Sequence, residues 1–326
     1  MQFNPNKNFN TYTSSGNLSQ YDNALVAALN GSICIGSISN NNNSNINLYN
    51  NTNSNINLYN NNNTNNNNNN NLYNNNNSGA VLVSYKNLNK LTNKSTYHKV
   101  FNICDTIGVT YSGMQPDFME QLQHAQTYCH EYKEVYGSYP SIETFMQEYA
   151  QRMISVSSEG GYRPYGSYMI IAGYSNNINS NLYNNINSNI LNNNSNSNIL
   201  NNNSNSNILN NNNILHPMIF YLDPSCSFST ENVLTAGNNY NAVKTYVEKR
   251  VINNTYNSNS NLLNNDNTYN SNILNNVSLD DNIQICLNAI KEHVGVEVQP
   301  EDVSVGVLRG GKFKVYTEEE IKELFY

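Results

Sequence analysis

Glu159-Gly160-Gly161-Tyr162-Arg163-Pro164-Tyr165-Gly166 runs directly into Ser167-Tyr168-Met169-Ile170-Ile171-Ala172-Gly173-Tyr174. The first half is turn chemistry and the second is strand chemistry. Gly160 and Gly161 tolerate positive φ, and Pro164 fixes its own φ while disfavouring helix at Arg163. The alternating apolar residues from Tyr168 to Tyr174 suit a covered strand. Upstream, His98-Lys99-Val100-Phe101 and Ile107-Gly108-Val109-Thr110-Tyr111-Ser112-Gly113-Met114 repeat that alternation, and Pro116-Asp117 follows them.

Three tracts of nearly pure Asn with Ser, Leu, Ile and Tyr interrupt the chain, at 40–78, 175–214 and 253–276. They contain internal copies, such as Ser44-Asn45-Ile46-Asn47-Leu48-Tyr49-Asn50 against Ser54-Asn55-Ile56-Asn57-Leu58-Tyr59-Asn60. Such tracts bury too little apolar surface to offset the entropy of ordering, so they read as loop insertions. Asn ladders also stack in cross-β assemblies, which leaves an association tract as the other reading. Without them, 223 of the 326 residues remain, the size of one domain.

The net charge is −7 and only 12% of residues are charged, so no basic surface argues for nucleic acid despite 25 tyrosines. No stretch approaches the roughly 20 apolar residues of a membrane span, and the polar start Met1-Gln2-Phe3-Asn4-Pro5 is unlike a signal peptide. The cysteines, Cys34, Cys104, Cys129, Cys226 and Cys286, lack CxxC spacing, which points to free thiols in a reducing compartment. The histidines are scattered; His124 and His130 lie six apart, which does not align them as metal ligands.

Leu18, Tyr21, Leu25 and Ala28 predict a short helix over 18–30, ahead of strands at 32–39 and 79–84 that pair as a hairpin with a lengthened loop. Strands at 98–104 and 106–113 follow. Two helices come next, one lined by Phe118, Leu122, Ala125, Cys129, Tyr132 and Tyr136, the other by Ile142, Phe145, Met146, Tyr149, Met153 and Val156. Gly137 ends the first and Ser141 caps the second. Further strands are expected at 167–174, 217–223, 233–236, 303–308 and 312–316, with helices at 239–250, after Ser278, and after the capping box Thr317-Glu318-Glu319-Glu320. Strands in two groups with helix pairs between them imply two stacked, mostly antiparallel sheets with helices on both outer faces.

The motifs resemble the 20S proteasome alpha-type subunit family, which reads as a Lys-Ile/Val strand, a Gly-x-x-x-Ser-Gly-hydrophobic strand end and Gly-Gly-x-Arg-Pro-Phe/Tyr-Gly. Among the alpha types the second is most similar, through Tyr111-Ser112-Gly113-Met114-Gln115-Pro116-Asp117 and Gly237-Asn238-Asn239-Tyr240 with Lys244-Thr245-Tyr246-Val247-Glu248-Lys249-Arg250. The resemblance implies an α+β fold, a four-layer αββα sandwich of the N-terminal nucleophile hydrolase type. It further implies one domain over 1–326 interrupted by the inserts, with residues 1–17 as a gate tail. The implied function is that of a non-catalytic structural subunit of the outer alpha ring, which builds the axial gate and docks regulators in ubiquitin-dependent protein degradation, in cytoplasm and nucleus. The implied partners are other alpha subunits in a heteroheptameric ring, beta subunits, and regulatory-particle ATPases or other activators. Neither nucleic acid nor membrane is among them, and no cofactor or metal is expected.

Carried over residue by residue, Lys99, Gly31 and Met114 correspond to a pocket that receives the C-terminal tail of a regulator, the ammonium meeting the chain-end carboxylate. Phe9, Tyr12, Gln20 and Asp22 correspond to the gate and its helix. The family's nucleophile position falls on Ser32, inside the chain; its catalytic Asp position falls on Tyr85, and the Arg two residues later on Asn87. A self-processing hydrolase using Ser32, unmasked by cleavage, and an Asn-driven interaction protein are therefore the two alternatives. Three departures stand out: Gln20-Tyr21-Asp22-Asn23-Ala24 lacks the family's Tyr, Ser14 replaces a Pro, and Cys226 follows Asp223-Pro224-Ser225 where Gly is expected.

Overall fold

Strands that are apolar on both faces require covering on both sides, and the alternation along each strand sends its side chains into two different cores. The computed structural model describes residues 14–39, 78–89, 91–158, 163–175, 216–256 and 277–325. Among them are helices α1 (Ser19–Leu29), α2 (Gln115–Tyr136), α3 (Ile142–Ser158), α4 (Tyr240–Tyr256), α5 (Leu279–His293) and α6 (Glu318–Phe325). The strands are β1 (Cys34–Ser39), β2 (Gly79–Tyr85), β3 (Val100–Cys104), β4 (Ile107–Gly113), β5 (Ser167–Ser175), β6 (His216–Leu222), β7 (Phe228–Thr230), β8 (Val233–Ala236), β9 (Val303–Arg309) and β10 (Lys312–Val315).

They form two five-stranded antiparallel sheets, ordered β10-β9-β2-β1-β8 and β3-β4-β5-β6-β7. In β2, Val81 and Val83 face the core shared with α4 and α5, while Ala80 and Leu82 face the core between the sheets. In β5, Met169 and Ile171 face α2 and α3, while Ile170, Ala172 and Tyr174 meet the other sheet. The result is the four-layer αββα sandwich expected from the sequence.

The caps follow the expected chemistry. Gly137 ends α2 at φ 75°, the Ser278 hydroxyl accepts from the Asp281 N–H at 3.1 Å, and the Thr317 N–H donates to Glu320 at 2.9 Å. Some expectations need correction. In α1 the structure buries Ala24 and Ala28 and leaves Leu25 exposed, because the helix approaches β4 so closely that only small residues fit beneath it. Strand β7 carried no sequence signal. The inserts begin later than expected: Ser175 still pairs with His216, and α4 continues to Tyr256, beyond the expected insert boundary at 253. Apart from Ser78, the remainder of the three tracts lies outside the described residues, as do the gate residues Phe9 and Tyr12 and the turn residues 159–162. Cys226 takes the glycine's place in its turn at φ 62°, held by Asp223, whose Oδ1 accepts from the Ser225 and Ser227 N–H groups.

Candidate functional site

The segment between α1 and β1 sits where the ends of both sheets meet. The Asn238 N–H donates to the Gly31 carbonyl at 2.9 Å, and the Ser112 hydroxyl donates to the Ala28 carbonyl at 2.8 Å. A Cβ on Gly31 would lie 2.1 Å from the Gly113 nitrogen, so only glycine lets the two backbones approach this closely.

Lys99 precedes β3 and is fixed by its backbone: its carbonyl accepts from the Thr110 hydroxyl at 3.0 Å, and its N–H donates to the Ser304 hydroxyl at 3.4 Å. The residue is buried, at 2% exposed. Its ammonium donates to the Ser32 hydroxyl and lies 4.6 Å from the centre of the Tyr111 ring, an electrostatically favourable face for a cation. No carboxylate pairs with it among the described residues. Burial disfavours the charged form and lowers the Lys99 pKa to about 8. Beside it, burial pushes the Cys34 thiol up to about 12, which leaves that cysteine protonated and unsuited to nucleophilic work.

Ser32 also lines a cavity of about 220 Å³ together with Gly31, Tyr85, Asn87, Asn238 and His293. The structure thus gathers Ser32, Lys99, Tyr85 and Asn87 into one neighbourhood. Among the described residues no carboxylate lines the cavity, and Ser32 has an ordinary amide nitrogen because α1 and its connection precede it. An N-terminal nucleophile requires a free α-amine as base. Asn238, Asn239 and His293 are wall residues that motif reading missed. The signal was Gly237-Asn238-Asn239, where Gly237 at φ 106° and Asn239 at φ 61° mark an unusual turn.

Met114 adjoins the same junction. Its N–H donates to the Gly166 carbonyl at 2.9 Å and the residue is 42% exposed; of the three tail-pocket positions only Gly31 lines the cavity, while Lys99 lies behind Ser32 and the Met114 side chain packs beside Gly166. The neighbouring motif is locked by charge. Arg163 grips Asp117 through Nη1 at 2.6 Å and Nη2 at 2.8 Å, and the Gly166 N–H donates to the same carboxylate at 2.7 Å. Burial alone would raise the Asp117 pKa; these bonds outweigh it and hold the carboxyl below its ordinary value. Of the gate positions, Gln20 is half-buried and Asp22 exposed on α1.

The family described as proteasome subunit matches residues 75–186. The chain is 23% identical over 234 residues to "Proteasome subunit alpha type-2" of Oryza sativa subsp. indica, covering 72% of this chain and 74% of that protein. It is 24% identical over 219 residues to "Probable proteasome subunit alpha type-2" of Neurospora crassa, covering 67% and 64% respectively. Against "Proteasome subunit alpha type-2" of Saccharomyces cerevisiae it is 23% identical over 250 residues, covering 72% and 76%.

Proposed function

We propose, from the proteasome-family domain that this chain carries and its likeness to alpha-type subunits, that it is a non-catalytic structural subunit of the 20S alpha ring. In this reading it assembles with other alpha subunits and with beta subunits, contributes to the axial gate, and serves ubiquitin-dependent degradation in cytoplasm and nucleus. The observation that carries the non-catalytic part is the internal Ser32, preceded by a packed helix and faced by Tyr85 where an acid would be needed. The test is the mass of the tagged chain and of what co-purifies with it. A full-length chain inside a particle of many subunits is expected; a mature form beginning at Ser32, or a chain migrating alone, would overturn the reading.

Regulator docking is the finer part of the proposal, with Lys99, Gly31 and Met114 forming the tail pocket. Lys99→Met keeps the buried aliphatic stem and removes the charge. A hydrogen bond to a charged group is worth roughly 1.5 to 3 kcal/mol, so binding of a regulator tail at this subunit is expected to weaken on the order of tenfold to a hundredfold. Unchanged binding to assembled particles, with the tail shown by cross-linking to sit beside this subunit, would remove Lys99 from the docking role.

A further inference from the structure

Ser32 sits between the cavity and the buried cation. Its hydroxyl accepts a hydrogen bond from the Lys99 ammonium, which also lies over the Tyr111 ring face and near the Cys34 thiol. Ser32 lines the cavity, whereas Lys99 does not. A ligand in the cavity therefore meets the hydroxyl before it meets the charge. We propose that Ser32 is a latch on Lys99: in the free chain it occupies the ammonium that a chain-end carboxylate would take, and the carboxylate binds by displacing it. The inference rests on the reading of Lys99 as the base of a tail pocket and adds how that pocket opens.

The chemistry favours the exchange. The ammonium meets an ionised carboxylate as a full opposite charge and the serine hydroxyl only as a dipole, and moving that hydroxyl aside takes a single χ1 step between staggered wells. The cavity has space for the end of a peptide, at about 220 Å³ against the roughly 30 Å³ that one water occupies. Its walls suit a peptide end. Ile33, Val243 and Val296 offer apolar contact, and Asn87 and Asn238 present carboxamides. Ser32 is thus a positioning residue that sets affinity for a carboxylate by competing for Lys99.

The experiment uses assembled particles carrying Ser32→Ala, Ser32→Thr or Lys99→Met in this subunit. The probe is a short synthetic peptide with the last residues of a regulatory ATPase and a photoreactive side chain, so that cross-links report occupancy beside this subunit; its C-terminal amide is the control. With the latch removed, Ser32→Ala is expected to bind the free-carboxylate peptide roughly threefold to tenfold more tightly, the amide showing no gain, and Ser32→Thr, which keeps the hydroxyl, to match wild type. Ser32→Gly takes the same measurement if alanine impairs assembly. Unchanged or weaker binding in Ser32→Ala, alongside lost binding in Lys99→Met, overturns the latch and leaves the pocket standing. If Lys99→Met also binds as wild type does, the pocket reading falls and the latch falls with it.

Discussion

Asp117 accepts two hydrogen bonds from Arg163 and one from the Gly166 N–H, so one carboxylate ties the start of α2 to the turn that launches β5. Arg163 is about half exposed, which places the pair between a surface ion pair and a fully buried one. Arg163→Leu is therefore expected to cost about 1 to 2 kcal/mol, read as a lower urea midpoint. Asp117→Asn leaves the arginine unmatched and costs a similar amount. The pH dependence has a definite sign. The folded carboxyl titrates below its unfolded value of about 3.9, so the unfolded state binds more protons between the two values. The pair's contribution is present at neutral pH and is lost as pH falls through the folded pKa. Arg163→Leu should flatten the stability profile below about pH 4, and a profile parallel to wild type there would refute the assignment. Both residues stood out in the sequence as members of motifs, yet their pairing spans 46 positions and was not legible from either one. Lys99 likewise stood out only as a member of a motif, and what holds it is distant in sequence, since Thr110 and Ser304 fix its backbone between the sheets.

At the scale of elements, short apolar runs bounded by turn residues, together with helical spacing and cap chemistry, were sufficient to find nearly every strand and helix, because strands buried on both faces read as near-continuous apolar segments. What escaped was β7, whose three residues are too few to show a period and are defined only by pairing with β6. The hairpins explain how the chain accommodates its insertions. Ser39 pairs with Gly79 across β1 and β2, and Ser175 pairs with His216 across β5 and β6, so the first two tracts leave and re-enter at adjacent positions at the end of a hairpin inside a sheet. Closure of a flexible loop costs only about 0.6 kcal/mol per doubling of its length. Replacing the residues between Ser39 and Gly79 by Asn-Gly, which fits a two-residue hairpin, is thus expected to stabilise the subunit by about 2.5 kcal/mol and leave incorporation into particles unchanged. A shortened chain that folds but stays outside particles would assign the tract a part in assembly.

The whole molecule depends on how closely the two sheets approach, and one aromatic ring sets that distance at the β9–β10 corner. Phe313 is 4% exposed, and its N–H donates to the Asp105 carbonyl at 2.8 Å, pinning β10 of one sheet against the β3–β4 turn of the other. A Cβ on Gly108 of β4 would lie 2.1 Å from the ring, and one on Gly306 of β9 would lie 2.5 Å from it. The ring therefore fills the volume that both glycines leave vacant. Sequence reading found these strands but gave no reason for either glycine, since the reason belongs to a neighbour in the opposite sheet or across the hairpin. Gly108→Ala is expected to destabilise by about 1 to 3 kcal/mol or more, because β4 is held on both sides by β3 and β5 and cannot retreat. Phe313→Leu alone removes packing and costs about 1 to 3 kcal/mol. Combined, the smaller side chain makes room for the added methyl, so the double variant should be more stable than the sum of the single losses by roughly 1 kcal/mol. Urea midpoints of the four proteins close the cycle. Strict additivity would mean that the ring does not set the sheet spacing and that Gly108 answers to some other neighbour.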